Sequence, residues 1–190
     1  MGHSQAEKAQ NRERILAAAA EQIRADGLES VSVGKLMQAV NLTHGGFYGH
    51  FESRSDLLAQ ALERALAEGQ HNARAAVPAG RPGRLAGFVR SYLSRAHRDA
   101  RQSGCAIGAL ASDVGRADRR SRVIMTDYIE RYITSVADDL GGDDAKAIAA
   151  VSAMVGALAI ARVITDPARS DAILKAVKDH VTAMQPDGPA

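Results

Sequence analysis

Val33-Gly34-Lys35-Leu36-Met37-Gln38-Ala39-Val40-Asn41-Leu42-Thr43-His44-Gly45-Gly46-Phe47-Tyr48-Gly49-His50-Phe51 is the stretch on which the fold turns. Val33, Leu36, Met37 and Val40 recur at helical spacing and give one apolar face. Ser32 stands just ahead of them, where a hydroxyl can accept from the free amides of a helix start. Asn41 follows at a turn, since asparagine tolerates positive φ better than most residues. Thr43 can then cap a third helix running through roughly His50. Two short helices joined by a tight turn have helix-turn-helix spacing.

Outward from this stretch the chain keeps reading as helices. A first helix from about Lys8 to Asp26 lines up Ile15, Leu16, Ala19 and Ile23, and Gly27 supplies a left-handed stop. Ser53 with Asp56 makes a capping-box-like start for a fourth, whose Leu58, Ala61, Leu62, Ala65 and Leu66 lead toward about Ala76. The Pro/Gly cluster Pro78 to Gly83 is the first real break. A fifth helix then carries Leu85, Phe88, Val89, Tyr92, Leu93 and Ala96 in register, and a sixth spans about Cys105 to Val114. A seventh bears Met125, Ile129, Tyr132, Val136 and Leu140 on one stripe, with Asp127, Glu130, Arg131 and Asp138 facing water. Gly141-Gly142 separates it from an eighth, about Asp143 to Thr165, which is apolar nearly all round its middle. Asp166-Pro167 ends that helix, and Ser170 is the expected cap of a ninth bearing Ile173, Val177, Val181 and Met184. The pattern predicts an all-α fold of about nine helices, closed by a Pro/Gly tail.

Composition agrees and sets limits. Apolar residues make up 46% of the 190 and aromatics only 4%, with no Trp, which favours packed helices over sheet. A net charge of +2 does not announce nucleic-acid binding, so any such contact must come from a local surface. Residues 1–66 carry seven basic side chains (Lys8, Arg12, Arg14, Arg24, Lys35, Arg54, Arg64) against eight acidic ones (Glu7, Glu13, Glu21, Asp26, Glu29, Glu52, Asp56, Glu63). Cys105 is the single cysteine, which excludes an intrachain disulfide framework and fits a reducing cytosol. His3, His44, His50, His71, His97 and His180 lack the short spacings of a metal site, and neither metal nor cofactor is expected. No secretory signal precedes the first helix, and the longest uncharged run, Ala147 to Ala161, is short and Ala-rich for a membrane span. The expected location is cytoplasmic, with no membrane partner.

The words Phe47-Tyr48, His50-Phe51 and Ser53-Arg54-Ser55-Asp56-Leu57 resemble the TetR/AcrR family of transcriptional regulators. Its members show a helix ending in an aromatic, Tyr, two variable positions and Phe, followed by Ser-Lys and an acidic residue before Leu. The resemblance is specific over residues 10–66; beyond them only helix count and lengths agree. This chain departs from the pattern with His44 where Lys is common, Gly46 where Thr or Ser is frequent, Asn41 where Gly is usual and Arg54 where Lys is usual. The resemblance implies a DNA-binding helix-turn-helix domain over 1–52 whose partner is double-stranded operator DNA. It also implies an effector-binding and dimerisation domain over 53–190, with the fourth helix as connector.

The residue types suit the first role independently, because a helix in the major groove needs an apolar back and a small polar front. Leu42, Phe47 and Phe51 suit the back. Thr43, His44, Gly45, Gly46, Tyr48 and His50 can approach bases or phosphates, the glycines permitting close backbone approach. Matching family positions assign Tyr48 and His50 to phosphates. Ser32, Lys35 and Arg54 complete the expected contact set, and so few cations imply a shallow salt dependence.

For the remainder of the chain the resemblance implies an unidentified small-molecule effector and a homodimer. Phe88, Tyr92, Met125, Tyr128, Tyr132, Met154 and Leu158 would offer an apolar cavity with a few hydroxyls, or simply fill a core, which periodicity cannot separate. Arg162 could meet an acidic effector or stay a surface ion. The eighth and ninth helices carry more apolar surface than one neighbour covers, and Ser152 and Gly156 lie one turn apart. With Val155, Ile173, Val177 and Val181 they form the expected face of a four-helix intersubunit bundle, intrachain packing being the alternative. Cys105 is either a thiol sensor at a helix start or a small residue packed under the fifth helix. No nucleophile elbow, metal spacing or phosphate loop supports an enzyme. The expected function is a repressor released from a palindromic operator by the effector. Its rivals are a thiol-sensing repressor through Cys105 and a helical interaction module that binds no DNA.

Overall fold

Gly27 stops helix α1 (Gln5–Asp26) at a φ of 88°, and one 3-10 turn (Leu28–Ser30) leads into α2 (Val33–Ala39). Asn41, at φ 57°, then turns the chain into a second 3-10 helix, His44–Gly49. The helices that follow are α3 (Arg54–Ala75), α4 (Arg84–Tyr92), α5 (Arg95–Asp99), α6 (Ala106–Gly115), α7 (Arg119–Asp139), α8 (Asp144–Val163) and α9 (Pro167–Thr182). The computed structural model describes residues 5–75 and 84–185, apart from the side chains of 70–75. The Pro/Gly break at 78–83, the connector's end at Ala76, His3, the His71 side chain and the terminal tail lie outside what is described. Among the described residues there is no strand, as the all-α expectation requires.

Four local expectations are corrected. The third helix of the helix-turn-helix is 3-10, not α: Gly45, Gly46 and Gly49 weaken helix propensity, and Gly46 N–H donates to Thr43 O at 3.0 Å, an i to i+3 bond. Ser32 and Thr43 do hold extended N-cap backbone positions, but both are exposed and neither side chain makes a cap hydrogen bond. The expected fifth helix is two, because Ser94 restarts the chain as the cap of α5, its hydroxyl accepting from His97 N–H at 3.1 Å. Asp166, not Ser170, caps α9: it accepts from Ala168 N–H at 3.0 Å, with Pro167 at the position where a missing N–H is harmless. Ser170 is buried and donates to Ala161 O at 2.7 Å.

Two apolar cores meet in the molecule. The first gathers Ile15, Ile23, Leu36, Met37, Phe47, Phe51 and Leu62 with Ile107 and Leu110 of α6 and Met125 of α7. The helix-turn-helix therefore shares its core with the helices beyond it, and α3 lies along both α1 and α7. The second joins Leu85, Val89 and Tyr92 to Val136, Met154, Leu158, Leu174 and Val181. Cys105, Tyr132 and Val155 pack against both. Helix α8 has 20 residues and is long and apolar enough to cross a membrane, more than the uncharged run suggested; its Ala147, Ala150, Val151, Met154 and Leu158 face is buried in the second core.

Polar ties fasten the two parts together. Arg24, its side chain only 2% exposed, pairs with Glu68 at 2.8 Å and donates to Gln102 O. Asp113 of α6 accepts from Leu28 N–H at 3.1 Å, directly beside Gly27. A Cβ on Gly27 would sit 2.7 Å from Asp113 Oδ2, and the residue's left-handed φ strains any L side chain. Gly27→Ala is expected to cost about 1–3 kcal/mol in urea unfolding. Gly49→Ala, at a position with open space and ordinary φ, should cost under about 1 kcal/mol.

Candidate nucleic-acid interface

Phe47 is 1% exposed and its neighbour Tyr48 is 70% exposed. The Phe47 ring stacks on Phe51 at 5.6 Å and meets Tyr48 edge-on at 5.2 Å. Anchoring both phenylalanines inward, with Leu42 half-buried behind them, turns the intervening residues out: Thr43, His44, Gly45, Tyr48 and Gly49 are exposed, Gly46 and His50 half-buried. Ser32 at the cap of the adjoining α2 and Lys35 within it are exposed, and the His44 ring approaches that helix at Gly34. Most of the expected contact set thus shares one face, rich in hydroxyls, amides and backbone but poor in charge.

Arg54 is turned away from that face. Its Nε donates to Val31 O at 2.9 Å and its Nη2 to Leu28 O at 3.3 Å, beside an ion pair with Glu29. Those carbonyls belong to the loop ahead of α2, so Arg54 pins the start of α3 to it. The Ser53 hydroxyl accepts from Asp56 N–H at 3.0 Å, as a capping box requires, but Asp56 returns a bond to Glu52 N–H rather than to Ser53.

Three arginines escaped the reading from sequence. Arg14 donates to Val40 O at 2.6 Å and so satisfies the end of α2. Arg12 lies 5.2 Å above the Phe51 ring and donates to Gln60. Arg120, at the start of α7, pairs with Asp56 at 2.9 Å across 64 residues of sequence. Arg12 and Arg120 line a cleft of about 540 Å³ with Tyr48, His50, Glu52, Asp56 and Gln60, at the downstream end of the outward-facing segment. Helical periodicity carries no signal for such pairs; only the fold brings them together.

Beyond α3 the expected pocket residues divide. Met125 is closed into the first core, and Met154 and Leu158 into the second. Phe88, Tyr92 and Tyr132 form an aromatic cluster, with ring centroids 5.7 to 6.5 Å apart, against which Cys105 lies, while Tyr128 packs on the first core. His97 joins it edge-on to Tyr92 at 4.7 Å. Its Nδ1 is 2.7 Å from Tyr92 O and its Nε2 accepts from Cys105 N–H at 2.9 Å, a neutral tautomer that burial favours by holding the imidazole pKa down. Cys105 caps α6, its Sγ 3.5 Å from Gly108 N–H. Arg162 is half-buried, and its Nε and Nη2 donate to Arg98 O and His97 O.

The expected dimer residues divide as well. Ser152 is exposed, Gly156 borders open space, and Ile173 and Val177 are half-buried on α9. Val181 is corrected: it is wholly buried within its own chain, and Val155 already packs against both cores. Ile148, Ile160 and Val163 of α8, unremarked in the sequence, are instead 45%, 53% and 77% exposed.

Residues 15–61 match the family model of the bacterial regulatory proteins, tetR family. They form a TetR-family N-terminal domain. The TetR-type fold extends through the rest of the chain. A TetR transcriptional regulator from Chloroflexus aurantiacus is 19% identical, with 94% of this chain and 95% of that one covered at a TM-score of 0.81. The reduced form of E. coli NemR is 19% identical, with 95% and 99% covered and a TM-score of 0.80. A TetR-family regulator from Streptomyces coelicolor, SCO4454, is 22% identical, with 92% and 97% covered and a TM-score of 0.62. At these identities the likeness is one of fold. Among curated protein sequences none matches.

Within the TetR-type domain, hydrogen bonding from Gln60, and then from Arg120 and the Glu52 N–H, holds the Asp56 carboxyl below its ordinary 3.8. A depressed carboxyl contributes stability that is fully present above the unfolded value and is lost as pH falls through the lower folded one. Arg120→Gln should move the Asp56 pKa up toward 3.8 in a carboxyl-carbon NMR titration. Its cost at neutral pH should stay below about 1 kcal/mol, because the Arg120 side chain is 55% exposed.

Proposed function

We propose that this chain is a sequence-specific DNA-binding transcriptional regulator of the cytoplasm, a repressor released from a palindromic operator by a small-molecule effector. The observation that carries the reading is the contrast at Phe47 and Tyr48, where a buried ring serves as anchor for an exposed one. Apart from its edge contact with Phe47 the Tyr48 ring stands in water, and its hydroxyl suits a phosphate. Thr43, His44, Gly45 and Gly46 beside it offer short polar groups and bare backbone to base edges, with Ser32, Lys35 and His50 at the margins.

A second copy of the chain is the proposed partner of the outward face of α8 and α9. Ile148, Ser152, Gly156, Ile160 and Val163 would pack there with Ile173 and Val177, small residues letting the helices approach. Such a dimer would set two reading segments about 34–36 Å apart, one helical turn of DNA. The ties from Asp113 to Leu28 and from Arg120 to Asp56 link the effector-domain helices to both sides of the reader. An effector need favour the non-binding arrangement by only a few kcal/mol, each 1.4 kcal/mol being about tenfold. No catalytic role is proposed.

Selection of duplexes from a random pool tests this reading: a palindrome should be enriched, with a shallow salt dependence of binding. Thr43→Ala combined with Tyr48→Phe should lower affinity for the enriched duplex about a hundredfold at an unchanged thermal midpoint, since both side chains are exposed. Full affinity in that variant would sink the assignment, and no enrichment by the wild type would favour a helical interaction module.

The position of Cys105 favours one second reading. Its sulfur stands at the start of α6 within reach of the Gly108 N–H, beside a cluster that keeps some accessible surface. In that case mild peroxide releases DNA from the wild type but not from Cys105→Ser; equal release ends the thiol reading.

A further inference from the structure

Tyr92 Oη and Tyr132 Oη are buried and have no hydrogen-bond partner among the described residues. A buried polar group left unmet costs about 1–3 kcal/mol, and native proteins keep few of them. Here two stand in one cluster, on α4 and α7, with ring centroids 6.5 Å apart and Phe88 packed on both. The adjacent Cys105 acts on Tyr92 alone as a side-chain partner and only weakly, since sulfur is a poor acceptor and its Sγ also receives Gly108 N–H. Burial raises both phenols well above their ordinary pKa, so each remains an O–H donor at any physiological pH. Phe88, Cys105 and Tyr132 also keep accessible surface although they pack on the cores.

The charges nearby narrow what could enter. Among the described residues the groups that act on either phenol are Cys105, Tyr128 and, on Tyr92, Tyr132, none of them a carboxylate. His97 is fixed as the neutral tautomer by its bonds to Tyr92 O and Cys105 N–H. Arg162, a cation within range of Tyr92 and Cys105, is engaged by the carbonyls of His97 and Arg98. Among the described residues a cationic ligand would meet no counter-charge there. Among the described residues an anion would exchange its hydration for one guanidinium already bonded elsewhere. What the cluster lacks is an acceptor oxygen.

We infer that the effector site lies at the Tyr92–Tyr132 cluster and takes an uncharged molecule with an apolar body and a carbonyl-type oxygen, received by the two phenol hydroxyls. The inference rests on the effector-responsive reading above and names the chemistry of its ligand.

Four probes of similar size test it on the full chain by calorimetry: acetophenone, ethylbenzene, benzoate and benzylamine. Acetophenone should bind at least about tenfold more tightly than the other three, the difference two hydrogen bonds supply. Tyr92→Phe combined with Tyr132→Phe should reduce acetophenone to the ethylbenzene level. The same double variant should not lower the thermal midpoint of the unliganded protein, because the deleted hydroxyls had no partner. Preference for the ion probes, no binding of acetophenone, undiminished binding by the double variant, or a lowered unliganded midpoint in Tyr132→Phe alone would each overturn the inference. Operator binding is measured in parallel. A wild type that discriminates the probes but enriches no duplex leaves the ligand chemistry standing and removes the regulator reading, whereas the reverse result removes the ligand chemistry alone.

Discussion

Phe47 and Phe51 stack in the first core, and without them a six-residue 3-10 helix containing three glycines would have little reason to hold its place. Such a segment has poor intrinsic stability, so its position comes from side chains that reach past it into α1, α2 and α3. Truncating a buried phenylalanine typically costs about 3–5 kcal/mol, far more than the segment's own hydrogen bonds supply. The exposure of Tyr48 accompanies this: with Phe47 and Phe51 pointing inward, it keeps an edge contact with Phe47 and otherwise faces water. A surface that reads as a device for DNA is thus the outer side of a packing solution.

The same economy governs charge. Of the seven cations in the first 66 residues, five are held inside the protein's own network. Arg12 lies on Phe51 and Gln60, Arg14 ends α2, Arg24 is buried with Glu68, Arg54 pins the loop before α2, and Arg64 bridges Glu13 and Glu68. Lys8 and Lys35 remain exposed. A near-neutral count therefore overstates what the module can offer to phosphate as full charges, and hydroxyls, amides and helix-start backbone become the available grip.

Apolar periodicity made the helices, both cores and the inward phenylalanines legible, because burial of one face is a property of the local sequence. Asn41 and Gly27 were legible for a different reason: left-handed φ admits few residue types. What escaped depends on relations between distant residues. Leu93 and Ala96 keep the register of the fifth helix across a true break, so only Ser94's bond to His97 reveals two helices. Ser170 and Asp166 are both plausible caps until packing buries one of them. Met125, Met154 and Leu158 share the spacing of Phe88 and Tyr132, yet three fill cores while the aromatics form a cluster with unmet hydroxyls. The pairing of Asp56 with Arg120 has no local signature at all.

Tyr132 and Arg120 lie on one helix, α7, twelve residues or roughly 18 Å apart. Tyr132 touches both cores beside Cys105 and Val155, and Arg120 grips the first turn of α3 behind the reading segment. A rigid helix bonded at one end to the DNA-binding module and lined at its middle by the proposed ligand site is a contiguous mechanical link between them. It carries information only if α7 has two settings that a ligand distinguishes. The two unmet phenols supply the asymmetry that requires, since the unliganded cluster is the arrangement with hydrogen bonds missing, and any ligand that completes them stabilises whichever setting of α7 allows both to be made.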